Sequence, residues 1–298
     1  HKALLNDAKI DQYLGASSDN SNAMDIGYAR GYNRYIDTHA EQLPASCAGA
    51  DWVKPIDERD LARLAIGVGI RYGLGRVTDQ IATAAPNQAI AALKPIDLTL
   101  DVEKIGSNAY AFGSDLTDTG HGILLGNPHY PWQGPSRFHM AHLTLPGEID
   151  FMGVGLIATP RLAIGFNDTI AWSHTVSTAL RFTFFRLDLV PGDSMAYLVG
   201  DEARAIEAIE VAVETDAGIE NRTVYLTHLG PVVAGPNTPW NDQHVYVMRD
   251  VNYENYRTGD QYAAMQRSTD VTQLKQALAD HQGAAFVNTI AADKAGGA

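Results

Sequence analysis

Gly106-Ser107 is where a chemical reading of this 298-residue chain starts. A serine becomes a strong nucleophile without a separate histidine when it is the first residue of a chain, because its own α-amino group then serves as general base. A free α-amino group has a pKa of roughly 7.7–8.0, so much of it is neutral near pH 7–8. Creating that terminus requires the hydroxyl to attack the preceding carbonyl, and a glycine at 106 leaves the peptide sterically open. Alone, the dipeptide reads more simply as a turn glycine before a strand serine. Two further stretches carry groups suited to holding a ligand. Gly126-Asn127-Pro128-His129-Tyr130-Pro131-Trp132 sets a histidine and two aromatics between backbone-fixing prolines. Ile170-Ala171-Trp172-Ser173-His174-Thr175-Val176 reads as a strand end rich in polar groups. Taken singly, the first of these is a rigid aromatic loop packed on a core.

Other chemistries find less support. The chain has no G-x-x-x-x-G-K-[ST], no G-x-S-x-G, no H-E-x-x-H and no C-x-x-C. His139 and His142 lie three apart, which on a strand turns the rings to opposite faces. His174 does not complete a metal-ligand set with them, so no metal and no cofactor is expected. A metallohydrolase using the scattered histidines is the weakest of three functional readings. Lys and Arg number 22 against 35 Asp and Glu, a formal charge of −13 that argues against nucleic acid as the main partner. No run approaches the roughly 18 apolar residues of a membrane span. Cys47 is the only cysteine in this sequence, so it is a free thiol or has a partner elsewhere. The first residue is His1, and the chain ends on Ala295-Gly296-Gly297-Ala298, so a processed chain or fragment is expected.

Elements must position these groups, and the pattern changes character near residue 100. Residues 1–94 read as helical. Met24 to His39 suits one helix, and Asp57 caps another through Leu61, Leu64, Ala65, Val68 and Tyr72. The Ala-rich stretch from Gly75 to Pro95 reads as a weakly packed helix or a linker. From Ile105 the period turns toward two. Residues 107–112 and 123–125 form a hairpin, and strands follow over 138–145, 149–154, 162–166, 169–176, 182–189, 208–213, 223–228 and 244–249. Ser268 or Thr269 caps a late helix that Gly283 ends, and Phe286 to Ile290 is a buried strand. Helices, then many antiparallel strands, then a helix and a strand predict a layered α+β fold.

Together, Gly106-Ser107-Asn108-Ala109, the Gly126 to Trp132 run and Ala171-Trp172-Ser173-His174-Thr175-Val176 resemble the penicillin acylase family of N-terminal nucleophile hydrolases. The branch most similar is that of the acyl-homoserine-lactone, aculeacin and penicillin V acylases. Phe138 through Pro146 and Pro44-Ala45-Ser46-Cys47-Ala48-Gly49 add to the resemblance, which runs from about Ser21 to Gly296. It implies an αββα sandwich, partial in this chain, and a precursor that cuts itself between Gly106 and Ser107 into an α/β heterodimer. Residues 1–84 would be the end of the helical α chain, 85–106 a spacer, and 107–298 the sheet-rich start of the β chain. Ser107 would be the nucleophile. His129 matches the position that holds and polarises it, and the Val176 N–H matches an oxyanion donor. Asn288, before Ala292-Asp293-Lys294-Ala295-Gly296, resembles the second donor, an amide well suited to that task. Tyr130 matches an aromatic of the acyl pocket, with Phe286 and Val287 as further lining.

The resemblance also implies a periplasmic or secreted enzyme that hydrolyses small-molecule N-acyl amides: N-acyl-homoserine lactones, lipopeptides or penicillin V. The penicillin G branch binds calcium through carboxylates just after the strand matching 170–176. Ser177, Thr178 and Ala179 supply none. The competing reading is an uncleaved, inactive fragment or a β-rich binding module of the same fold.

Overall fold

The computed structural model describes residues 2–89, 93–98 and 106–298. Its contacts divide into two units. One is built from His1–Lys9, Gly67–Thr99 and Ala179–Glu254; the other from Ile10–Ile66, Leu100–Thr178 and Asn255–Ala298. Both units draw segments from either side of Gly106–Ser107, so neither coincides with the spans 1–84, 85–106 and 107–298. Positions 90–92 and 99–105 of the expected spacer lie outside the described residues.

The unit that contains Ser107 is layered. Its central sheet has the order β14-β6-β5-β4-β3, all antiparallel, from β3 (Phe138–Leu145), β4 (Ile149–Leu156), β5 (Ile164–Phe166), β6 (Ile170–Val176) and β14 (Val287–Asp293). Helices α5 (Thr258–Met265) and α6 (Val271–His281) cover one face. There Phe151 stacks on Trp172 at 4.7 Å, among Leu162, Ile170, Tyr262, Met265 and Leu274. The Trp172 indole N–H donates to the Ala163 carbonyl (2.8 Å), so the buried ring keeps its hydrogen bond. Helix α2 (Asp19–Thr38) extends the helical layer beside α5. Arg161 reaches it through a buried ion pair to Asp25 (2.7 Å) and a bond to the Ser21 carbonyl (2.9 Å).

The opposite face of β6 and β14 carries the hairpin of β1 (Gly106–Phe112) and β2 (Ile123–His129). Small groups make that approach possible. Ala109 lies opposite Gly126 and Ala111 opposite Leu124, and a Cβ at Gly126 would come within 2.7 Å of Ser173 Cβ and Oγ. Strand alternation sends the large residues outward. Tyr110 (57% exposed) pairs with Leu125 (52%), and Phe112 (40%) with Ile123 (51%), on the outer face. Helices, a sheet and a second, two-stranded layer realise the expected sandwich in part.

The other unit holds two antiparallel sheets. One has the order β13-β7-β8-β9, from β7 (Phe182–Val190), β8 (Asp193–Val199), β9 (Glu202–Ala205) and β13 (His244–Asp250); the other is β10 (Glu207–Thr215), β11 (Gly218–Thr227) and β12 (Gly230–Pro231). Leu187, Leu189, Tyr197, Val232, Trp240, Val245 and Val247 form its core. The stretch read as a weak helix or linker contributes the short α4 (Thr78–Ala82), with Ile81 buried, while Ala84 and Leu93 join that core.

Several local expectations hold and some change. Helix α3 (Glu58–Tyr72) opens on a reciprocal cap: Asp57 Oδ1 accepts from the Asp60 N–H (3.0 Å) and Asp60 Oδ2 from the Asp57 N–H (3.2 Å). The late helix is capped by Asp270, whose Oδ1 accepts from the Gln273 N–H at 2.8 Å, rather than by Ser268 or Thr269. Ser268 instead turns its hydroxyl back to the Ala264 carbonyl of α5 (3.3 Å). Helix α1 (Asp7–Ala16) falls within the stretch read as helical, while strands β8 and β9 and helix α5 are additional to the elements read from the sequence.

Candidate active site

Ser107 is the second residue of β1, half-buried, with its Oγ donating to the Gly106 carbonyl oxygen at 2.5 Å. The hydroxyl thus rests against the peptide it would have to attack. Its position is fixed by register. Ser107 faces Pro128 across the hairpin, so its side chain leaves on the face where Gly126 meets Ser173 of β6. Gly106 faces His129, and the imidazole Nδ1 lies 3.5 Å from where a Gly106 Cβ would stand. His129 therefore addresses the Gly106 side of the peptide, on the opposite pleat face from the serine hydroxyl. Asn127, two residues before it on the same face, donates from Nδ2 to His129 Nε2 (3.0 Å).

The second half of the site is the β6–β14 pair beneath the hairpin. Asn288 faces Thr175 and Val287 faces Val176. The Asn288 amide Nδ2 donates to Thr175 Oγ1 at 3.1 Å, and alternation puts both side chains on the hairpin side with Ser173. Asn288 is exposed and Val176 half-buried. The next residue, Ser177, donates its N–H to the Phe286 carbonyl (3.1 Å), which closes the end of the strand pair. Both candidate oxyanion donors thus sit on the two strands against which the serine's hairpin packs.

On the helix side of the same strands lies His174, buried, with Nδ1 at 3.2 Å from Thr289 Oγ1 and its ring edge-on to Tyr262. Burial away from water lowers its pKa from the ordinary 6.5 to about 4, so the ring is neutral at pH 7. The pocket residues separate. Tyr130 stacks flat on Phe138 at 4.8 Å, next to His129. Phe286 and Val287 pack against the helix-side core. His142 pairs with Asp150 across β3–β4 (2.6 Å), while His139 lies beside Gly155, so the two rings serve separate surroundings. Among the described residues no three His, Cys, Asp or Glu gather into a metal-binding group. No described helix is long and apolar enough to cross a membrane. Sequence reasoning passed over Asn127, Thr175 and Thr289; the i, i+2 spacing of Asn127 and His129 was the available signal for the first.

Comparison with known proteins gives consistent findings. The family model described as penicillin amidase matches residues 2–298. Aculeacin-A acylase of Actinoplanes utahensis is 42% identical over 91% of this chain and 36% of its own length. Acyl-homoserine lactone acylase PvdQ of Pseudomonas fluorescens (strain Pf0-1) is 38% identical over 91% of this chain and 37% of its own. The PvdQ of Pseudomonas putida is 36% identical over 97% and 39%. The chain therefore spans little more than a third of these relatives' length. Among solved structures, a thermostable penicillin G acylase from Alcaligenes faecalis superposes with a TM-score of 0.53 at 18% identity, over 63% of this chain and 33% of that one. That likeness is one of fold.

Proposed function

The chain belongs to the penicillin amidase family, and on that premise we propose that it is part of an N-acyl amide hydrolase that activates itself by cutting between Gly106 and Ser107. The observation that carries this reading is the Ser107 hydroxyl at 2.5 Å from the Gly106 carbonyl oxygen, at the head of a strand packed on the Val176 and Asn288 strands. In the cut enzyme the Ser107 amine takes the proton from Oγ as Oγ attacks the substrate carbonyl. The Val176 N–H and the Asn288 amide hold the oxyanion; one such donor is worth ~10²–10³ in turnover. His129 holds the new amine from its other side. Collapse expels the product amine, and water then releases the acid from the acyl-enzyme. The substrates this reading favours are N-acyl-homoserine lactones and lipopeptides, after the names of the relatives, with penicillin V as a third. A periplasmic or secreted α/β heterodimer, made from one zymogen, completes it.

The test uses the full-length precursor. Wild-type protein should yield a chain whose N-terminal sequence begins Ser-Asn-Ala-Tyr and should hydrolyse acyl amides. Ser107→Ala should remain one chain and lose turnover by several powers of ten. A Ser107→Ala precursor that still splits at this bond and still hydrolyses acyl amides would sink the proposal.

A further inference from the structure

The His129 ring has two nitrogens and only one faces the bond to be cut. Nδ1 lies against Gly106, and Nε2 accepts from the Asn127 amide at 3.0 Å. An Asn Nδ2 is a donor only, so Nε2 is the unprotonated nitrogen and the proton sits on Nδ1, toward the Gly106–Ser107 peptide. Nothing else on the hairpin fixes the ring so directly. Asn127 is held in turn by the β1–β2 ladder, where it lies opposite Asn108, two register steps from the Gly106–His129 pair.

We infer that Asn127 is a positioning residue of this site: its amide sets the tautomer and orientation of His129 so that an N–H donor is presented to the Gly106–Ser107 peptide, whose nitrogen must gain a proton as the bond breaks. The inference rests on the proposed role of Ser107 as nucleophile. It makes Asn127 matter for self-cleavage without touching the serine. A carboxylate of the same shape would do the opposite work. It accepts hydrogen bonds and donates none when ionised, so it would draw the ring proton to Nε2 and leave Nδ1 bare or the ring charged.

The experiment uses the full-length precursor with Asn127→Asp, nearly isosteric, beside Asn127→Ala. Two readouts are taken: the rate of self-cleavage, and the ¹⁵N signature of labelled His129 in the uncut Ser107→Ala background. Expected are Nδ1–H in the parent and loss of that signature in Asn127→Asp. Cleavage should fall about 100-fold in both variants, the lower end of what a positioned proton donor contributes. An unchanged melting temperature in Asn127→Asp separates the effect from folding. The inference is overturned if Asn127→Asp cleaves at the parental rate, or if the parent His129 carries its proton on Nε2. Cleavage that survives Ser107→Ala overturns instead the reading on which it stands.

Discussion

His174 shows at the scale of one residue how burial converts into pH dependence. Its pKa is about 4 when folded against 6.5 for an ordinary histidine, so between those values the unfolded chain binds the proton more readily. Stability from this group is complete above pH 6.5 and is lost as pH falls toward 4. Two and a half pH units correspond to about 3 kcal/mol. The difference in unfolding free energy between wild type and His174→Asn should therefore shrink by roughly that amount from pH 7 to pH 4, as denaturant titrations at a series of pH values would read. A constant difference would mean that His174 is solvated. Ser107, Val176 and Asn288 were named from motif resemblance, and the fold places them on strands that pack together. Asn127 was missed because a hydrogen bond between i and i+2 appears only once the run around it is known to be a strand and not a loop.

At the scale of elements, the hairpin depends on what is absent from its inner face. Gly126→Ala would bring a methyl within 2.7 Å of Ser173 Cβ, closer than atoms tolerate, and the strand would have to move. Overpacking of this kind costs about 1–3 kcal/mol. We expect Gly126→Ala to lower the melting temperature of the Ser107→Ala precursor and, with Ser107 present, to slow self-cleavage by lifting β2 from β6. Ser173→Gly in the same chain should restore much of both, and a double-mutant cycle reads the coupling. Additive effects would mean that the two residues do not meet. Strand existence was readable here from alternation, since β3 falls where its pattern put it. Which side of the hairpin faces inward was not, because its large residues, Tyr110, Phe112, Ile123 and Leu125, point outward and its small ones pack. Helix α5 escaped notice for a similar reason. Its apolar residues Tyr262, Ala263 and Met265 are buried beside Gly259 and Gln261, so no clean stripe marks it.

At the scale of the molecule, the two units are threaded through each other in sequence. Each takes residues from before position 106 and from after it. Linear composition could not reveal this interleaving, because it comes from contacts between segments far apart in the chain. The consequence concerns time rather than shape. A chain that folds whole and is then severed at 106–107 leaves two polypeptides that complete both units only in company. Before the cut, refolding is a first-order event within one molecule; after it, recovery must await an encounter between two strangers in solution. Refolding of Ser107→Ala precursor should be independent of protein concentration. Refolding of cut enzyme should slow in proportion to dilution and lose ground to aggregation, so that its working lifetime is set by a rate of unfolding rather than by an equilibrium. Equal refolding of both forms at every dilution would contradict this. On the proposed reading, the scission that arms the serine would make the folded state a history the molecule can live through only once.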